Sequence, residues 1–310
     1  MIGYQRTESL EQILRIADLA GMRNIYVSID GPNEHDLQAL EIQHRIRGIL
    51  QSFEERFGGK LFVRFHTRNR GCAAAVISSC EWAFKNEQAL FILEDDCIPS
   101  IDFFEFVNAH KNSLESDDNL MMICGSQFAP ESVAEGNAVY SKYPLIWGWF
   151  TTSSKWQVMR QAYLRQIPIG KSNSLISKAE LRYWRAGAKR ARSGRVDAWD
   201  TVLASYFIEN GLKSILPPVP LVTNIGNDKF ATHTKGENEF LNIETGVLAP
   251  SGYILARNNQ VDVWLKSHFY KISIRHLFST RITEIIDFFK EPIFEPLDIR
   301  FSESNLDFVD

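Results

Sequence analysis

The sequence has little that would indicate a zinc finger, an exported protein or a membrane-spanning protein. Its four cysteines form neither a Cys-x-x-Cys pair nor a zinc-binding spacing, which predicts reduced thiols in a cytoplasmic protein. The first residues lack the charged and then apolar pattern of a signal peptide. No apolar run approaches the ~20 residues that cross a bilayer. We therefore expect a cytoplasmic protein that at most attaches to the inner face of the cytoplasmic membrane.

The sequence also lacks an excess of positive charge. Its formal net charge is -4, which argues against nucleic acid as the partner. It has 310 residues, 45% of them hydrophobic and 23% charged. This length and composition suit one large α/β domain, alone or with an appendage.

Short apolar runs alternate with segments of helical periodicity through the first 125 residues. Strands are predicted at 24–30, 60–65, 89–93 and 120–124, with helices between them. This alternation is typical of βαβ units around a parallel sheet, in which ligands bind beyond the carboxyl ends of the strands. From residue 126 the pattern becomes irregular, and helices are predicted again at 178–192 and 200–211.

Three consecutive acids, Glu94, Asp95 and Asp96, follow the apolar run at 89–93. Adjacent carboxylates repel each other, and burying them without a partner costs several kcal/mol. A divalent cation would remove the conflict, since Mg²⁺ and Mn²⁺ prefer carboxylate oxygens. The alternative is a solvated turn in which Asp96 or Ser100 caps the next helix.

The segment "FILEDDCIPSIDFFEF" at 91–106 resembles the metal-binding segment of GT-A glycosyltransferases, in particular the N-acetylglucosaminyltransferase I type and its bacterial relatives. The resemblance extends from "GYQR" to "THT". It implies an α/β fold of the GT-A (Rossmann-like) type, with a mostly parallel sheet flanked by helices. The catalytic domain would span 1–240, with a nucleotide-sugar half at 1–125 and an acceptor half at 126–240. A helical C-terminal appendage would follow at 241–310.

The resemblance also implies an activity. An inverting transferase of this kind moves a sugar from a UDP-sugar to a glycan or a lipid-linked oligosaccharide, with Mn²⁺ or Mg²⁺ bound. Such enzymes build bacterial capsule or O-antigen. Asp96 would bind the metal, while Glu94 and Asp95 would contact the ribose and a metal-bound water.

Further residues would hold the nucleotide. The segment "GYQR" resembles the first-strand motif of the family, which places Gly3, Tyr4 and Arg6 beside the nucleoside or its phosphates. Asp30 corresponds to an acid that accepts from uracil, although it could also be a simple turn former before "GPN".

The "N-x-G" turn that opens the helix before the acidic triplet is the expected diphosphate site. Asn69, Arg70 and the N-terminus of that helix suit an anion. The alternative for Arg70 is a solvated surface charge.

A general base must accept the proton of the acceptor hydroxyl. Asp197 and Asp200 are the candidates, and we expect one of them to cap the helix that begins there. The spacing to Trp199 slightly favours Asp197 as the base. His233, in a polar loop, is expected to contact phosphate or metal, or else to be structural. Trp147 and Trp149 are expected to stack on the acceptor sugar or to lie in the core.

Two other functions are considered. A sugar-nucleotide nucleotidyltransferase would carry a "GxGxRxxP" loop after its first strand, which "GYQRTESL" does not match. A non-catalytic carbohydrate-binding scaffold would not need the triplet, the Asp197/Asp200 pair and His233 together.

Apolar residues recur at helical spacing between 261 and 289, next to several basic ones. This segment either packs on the catalytic domain or on a second subunit in a homodimer, or it contacts a membrane surface.

Overall fold

The computed structural model describes residues 1–33, 36–163, 176–226, 239–275 and 308–309. Its strands are β1 (Ile2–Gly3), β2 (Asn24–Ile29), β3 (Lys60–His66), β4 (Ala89–Ile92), β5 (Cys97–Pro99), β6 (Leu120–Cys124), β7 (Ala138–Ser141), β8 (Trp149–Thr152), β9 (Lys213–Leu216), β10 (Val222–Asn224), β11 (Leu255–Ala256) and β12 (Phe308–Val309). Its α-helices are α1 (Thr7–Leu19), α2 (Leu37–Glu54), α3 (Cys72–Ala83), α4 (Ile101–Ser116), α5 (Glu131–Ala134), α6 (Ser153–Met159), α7 (Lys178–Arg192), α8 (Trp199–Asn210) and α9 (Asn259–Trp264). The chain therefore has the predicted α/β class.

The first half of the chain is a parallel βα series. β1, β2 and β3 pair in parallel, and β12 adds an antiparallel strand to the free edge of β3. The N–H of Ile2 donates to the carbonyl of Leu93 at 2.9 Å, and Ile2 forms a parallel bridge with Glu94. β1 thus joins β4, and the order β3-β2-β1-β4 is parallel throughout, with every carboxyl end on the same edge.

The larger sheet is mixed, and here the prediction of a mostly parallel sheet is wrong. Its order is β11-β7-β9-β6-β8-β4. β9 runs parallel to β6, and β11 parallel to β7, but β8 is antiparallel to both of its neighbours. A parallel pair needs a long crossover, usually a helix. Between β6 and β8 the chain has the strand β7 and, as its one helix, the four-residue α5, and it returns with antiparallel strands instead.

A short ribbon connects the two halves. β5 and β10 pair antiparallel, with Asn224 opposite Cys97. Because β5 follows the acidic triplet directly, this pairing brings the segment after β10 next to the triplet. No periodicity in the sequence indicates this contact.

The helix predictions of the first half are confirmed. The apolar residues of α1 at helical spacing, Leu10, Ile13 and Leu14, are buried, and so are most side chains of the alanine-rich α3. Three clusters of buried apolar residues form the core of the described part of the chain.

The C-terminal segment that the structure describes packs on the main core. Val261, Leu265 and Ile272 are buried in the largest apolar cluster, and β11 extends the six-stranded sheet. For these residues the packing interpretation is confirmed. The apolar residues from 278 to 289 lie outside the described residues, and the predicted division at residue 240 stays a prediction. Within the described part of the chain, no helix combines the length and the apolar character that a membrane span requires.

Candidate functional site

The predicted site residues of the first half meet at one edge of the parallel series. Gly3 ends β1, Asp30 follows β2, and Asn69 and Arg70 follow β3. The triplet that begins at Glu94 follows β4 at the same edge. The structure thus gathers site residues that lie up to 93 residues apart in the sequence, from Gly3 to Asp96.

Asp95 holds the loop that leaves β1. Its Oδ2 accepts the N–H of Tyr4 at 2.7 Å, and its Oδ1 receives Nη1 of Arg6 at 2.9 Å. Asp95 is 6% exposed, so this ion pair is shielded from solvent. Arg6 also lies 3.6 Å from Oδ2 of Asp96. A cation from the "GYQR" segment therefore stands opposite the acidic triplet.

The other two acids of the triplet remain poorly compensated. Burial, with the carboxylates of Asp96 and Asp95, raises the pKa of Glu94 well above its ordinary value. Burial and Asp95 likewise raise the pKa of Asp96, while Arg6 opposes that shift. We call the site formed by Arg6 and the triplet Glu94, Asp95 and Asp96 the acidic crevice. It concentrates more negative charge than Arg6 offsets.

The strand β10 leads the chain across Asp96. Nδ2 of Asn224 lies 3.4 Å from Oδ1 of Asp96, and the N–H of Ile225 donates to the carbonyl of Asp96 at 2.9 Å. A Cβ on Gly226 would lie 2.5 Å from Oδ2 of Asp96, so any larger residue here would displace the carboxylate from its present position. Sequence reasoning did not identify Asn224 and Gly226 as site residues. The only signal was their position at the start of the polar loop "NIGN".

That loop continues to His233, which lies outside the described residues. Among the residues that are described, no group of three or more His, Cys, Asp or Glu side chains forms a complete metal site.

Asp30 joins the loops that follow β2 and β3. It is 5% exposed, and its carboxylate accepts the N–H of Gly31 at 2.9 Å and that of Arg70 at 3.0 Å. Burial raises the pKa of Asp30 to about 6, although these N–H groups and the charge of Arg70 oppose the shift. The side chain of Asn69 bridges the same loops, from the carbonyl of Gly31 to the N–H of Gly71.

Asp197 caps α3. Its two carboxylate oxygens accept the N–H groups of Cys72 at 2.7 Å and Ala73 at 3.0 Å. Gly71, at φ +77°, permits the approach, since a Cβ there would lie 2.8 Å from Oδ2 of Asp197. The N-terminus of α3, expected to hold a diphosphate, is thus occupied by a side chain.

The expected capping of α8 by one of the two acids is wrong. The N-cap residue of α8 is Ala198, and no side chain caps this end. The cap that Asp197 provides belongs to a helix 125 residues earlier in the chain.

Asp200 lies in the first turn of α8, and the charge of its carboxylate acts on groups of the crevice. It contributes to the raised pKa values of Glu94 and Cys72, in which burial is the largest cause. It also contributes to the raised pKa of Tyr270, again after burial. The C-terminal segment, through Tyr270, thus reaches the neighbourhood of Asp200.

The two tryptophans behave differently. Trp149 is 1% exposed and packs with Trp156 and Trp199, which makes it a core residue. Trp147 is half-buried and contacts Phe128 edge-on, at 5.0 Å between ring centroids. Of the pair, only Trp147 keeps a surface that could meet a sugar.

Neither the known protein families nor the curated protein sequences contain a match to this chain.

Proposed function

We propose that this chain is a metal-dependent, inverting glycosyltransferase of GT-A fold that uses a UDP-sugar as its donor. The observation that carries the proposal is the acidic crevice at the carboxyl ends of β1, β2 and β4. Glu94, Asp95 and Asp96 meet there, with Asp30 and Asp200 nearby and Arg6 as their paired cation.

The donor set of the crevice fits a hard divalent cation. The raised pKa values of Glu94 and Asp96 report negative charge that burial and repulsion leave uncompensated. Carboxylate oxygens are the ligands that Mg²⁺ and Mn²⁺ prefer, and Mg²⁺ typically takes one or two of them together with substrate phosphates. Asp96 is the best candidate, since Asp95 is occupied by Tyr4 and Arg6. A bound cation would supply charge stabilisation for the departing diphosphate.

The nucleoside is proposed to lie over the loops after β1 and β2. The carboxylate of Asp30 is buried in this region. A buried acceptor needs a hydrogen-bond donor, and the uncharged N–H of uracil is a suitable one. Tyr4 lies close to Asp30, because the N–H of Asp30 donates to the carbonyl of Gly3 at 2.8 Å.

Asp200 is the proposed general base. Asp197 already accepts two backbone N–H groups, whereas Asp200 lies near Glu94 at the crevice. A base in this position accepts the proton of the incoming hydroxyl while the bond to the anomeric carbon forms, on the face opposite the leaving diphosphate. The product then has inverted configuration.

The test is donor hydrolysis. The protein is incubated with UDP-sugars and Mn²⁺, and UDP release and the anomer first formed are followed by NMR. We expect slow, Mn²⁺-dependent release of UDP with inversion. Pyrophosphate formation from UTP and a sugar 1-phosphate would indicate a nucleotidyltransferase instead, and the absence of any turnover or UDP binding would indicate a scaffold. Net retention of configuration would reject the mechanism.

A further inference from the structure

The helix α7 carries a row of cations along one face. Lys178, Arg182, Arg185, Lys189 and Arg192 follow each other at intervals of four and three residues, which places them on the same side of a helix. Lys178, Arg185 and Lys189 are exposed and Arg182 is half-buried, while Arg192 is half-buried and its Nη2 donates to the carbonyl of Ala162 at 3.0 Å. At 1.5 Å per residue the row is about 20 Å long. This concentration is unusual in a chain whose net charge is -4.

The opposite face of α7 is packed. Trp184, Ala188 and Ala191 are buried in the main core. The one acid of the helix, Glu180, is 1% exposed and pairs with Lys142 at 2.7 Å and Lys266 at 3.3 Å. The solvent face of α7 therefore carries no acid of its own. Arg185 pairs with Glu209 of α8, so Lys178 and Lys189 are the better sites for testing the charge.

A partly apolar turn lies beside the N-terminal end of α7. Nζ of Lys266 donates to Oγ of Ser177 at 3.0 Å, which fixes the two segments together. Val263, one helical turn before Lys266, is 58% exposed, and Trp264 between them is half-buried. An exposed aliphatic side chain and a half-buried indole thus accompany the cations.

We propose that the cationic face of α7, together with Val263 and Lys266, binds the surface of a bilayer that contains anionic phospholipids. Clusters of four to eight Lys or Arg residues on an amphipathic helix are typical of such binding, and adjacent apolar side chains enter the headgroup region. Single-stranded nucleic acid is less well matched, because it needs exposed aromatic rings for stacking, whereas Trp184 is buried and Tyr183 and Trp264 are half-buried. The proposal does not depend on the transferase activity.

This surface differs from the one expected from sequence. The apolar residues at 261, 265 and 272 face the core and are not available to lipid. The membrane surface is instead built from a basic helix of the acceptor half and the exposed side of the segment that packs against it.

The experiment is sedimentation of the full chain with vesicles at low salt. Phosphatidylcholine vesicles containing phosphatidylglycerol are compared with pure phosphatidylcholine. We expect binding to the anionic vesicles only, and weaker binding as salt is added. Since each cation near an anionic surface is worth about fivefold in partitioning, Lys178→Gln/Lys189→Gln should lower the partition coefficient about 25-fold. Val263→Gln should lower it further.

The matched control is Lys60→Gln/Lys111→Gln, which removes two exposed lysines from β3 and α4. It should bind vesicles like the unsubstituted protein, and circular dichroism should show that all variants fold alike. The proposal is overturned if the unsubstituted protein ignores anionic vesicles, or if the control pair loses as much binding as the α7 pair. It is also overturned if single-stranded DNA, but not vesicles, binds in a manner that depends on Lys178 and Lys189.

Discussion

Asp197 accepts a hydrogen bond from the N–H of Cys72 at 2.7 Å and thereby caps a helix that begins 125 residues before it. The contact ties the segment before α8 to the first half of the chain. It also separates the roles of two acids, Asp197 and Asp200, that look alike in the sequence.

The first prediction concerns this cap. Asp197→Ala leaves the N–H groups of Cys72 and Ala73 without their acceptor, and should lower the free energy of unfolding by about 1 kcal/mol, the usual cost of losing an N-cap. Asp197→Asn keeps an acceptor and should cost less. Urea denaturation measures both. Unchanged stability in the alanine variant, together with a large loss of turnover, would make Asp197 the base.

Asp200→Asn should lower kcat for donor hydrolysis on the order of 10²- to 10⁴-fold, because a positioned base is lost. The KM for the UDP-sugar should change little, since Asp200 is proposed to act on the incoming hydroxyl. Initial rates of UDP release at saturating Mn²⁺ measure both constants. Asp197→Asn serves as the comparison and should keep most of the activity. Equal losses in the two variants would contradict the assignment.

Asp96→Asn should abolish the stabilisation that UDP and Mn²⁺ give together, because the proposed metal ligand is removed. The measurement is the Tm with UDP, with Mn²⁺ and with both. Asp118→Asn, which changes an exposed acid at the end of α4, is the control and should respond like the unsubstituted protein. If UDP and Mn²⁺ together raise the Tm of Asp96→Asn as much as that of the unsubstituted protein, Asp96 is not the metal ligand.

Asp30 should make stability depend on pH. Burial raises its pKa from 3.8 to about 6, so the folded protein holds this proton more tightly than the unfolded chain. Its contribution is complete below about pH 4 and is lost as the pH rises to about 6, a change of about 3 kcal/mol.

Asp30→Asn cannot titrate, so it removes this dependence. The free energy of unfolding of the unsubstituted protein, minus that of the variant, should therefore fall between pH 4 and 6. Urea titrations at several pH values measure the difference. The contribution of His66, whose pKa burial lowers to about 3, is common to both proteins and cancels. A flat difference would show that Asp30 does not titrate in this range.

The same substitution should weaken discrimination between nucleotides. The N3–H of uracil is proposed to donate to Asp30, and cytosine presents no N–H at that position. Loss of the charged acceptor should therefore lower the affinity for UDP about tenfold. CDP should bind as before. Calorimetric titration with each nucleotide and Mn²⁺ gives the ratio. An unchanged ratio would place the base elsewhere.

Local patterns predicted the helices and strands of the first half of the chain well. A helix or strand that buries one face has apolar residues at a characteristic spacing, which can be read from neighbouring residues alone. This spacing predicted the helices α1 to α4 and the strands β2, β3, β4 and β6. The positions of Asp30 and the acidic triplet at strand ends followed from the same alternation. For these elements the sequence alone was sufficient.

The contacts of the candidate site and the order of the strands depend on which distant segments of the chain meet. Nothing near Asp197 indicates that it caps α3, nothing near Gly226 indicates that it touches Asp96, and the antiparallel placement of β8 has no local signature. The row of cations on α7 is visible in the sequence, but its exposure is decided by the core that covers the opposite face. Pairing and burial arise between residues far apart in the chain, so the sequence by itself determined the elements and the acids at their ends, while the tertiary structure decided which of these acids lie together and which of them caps a helix.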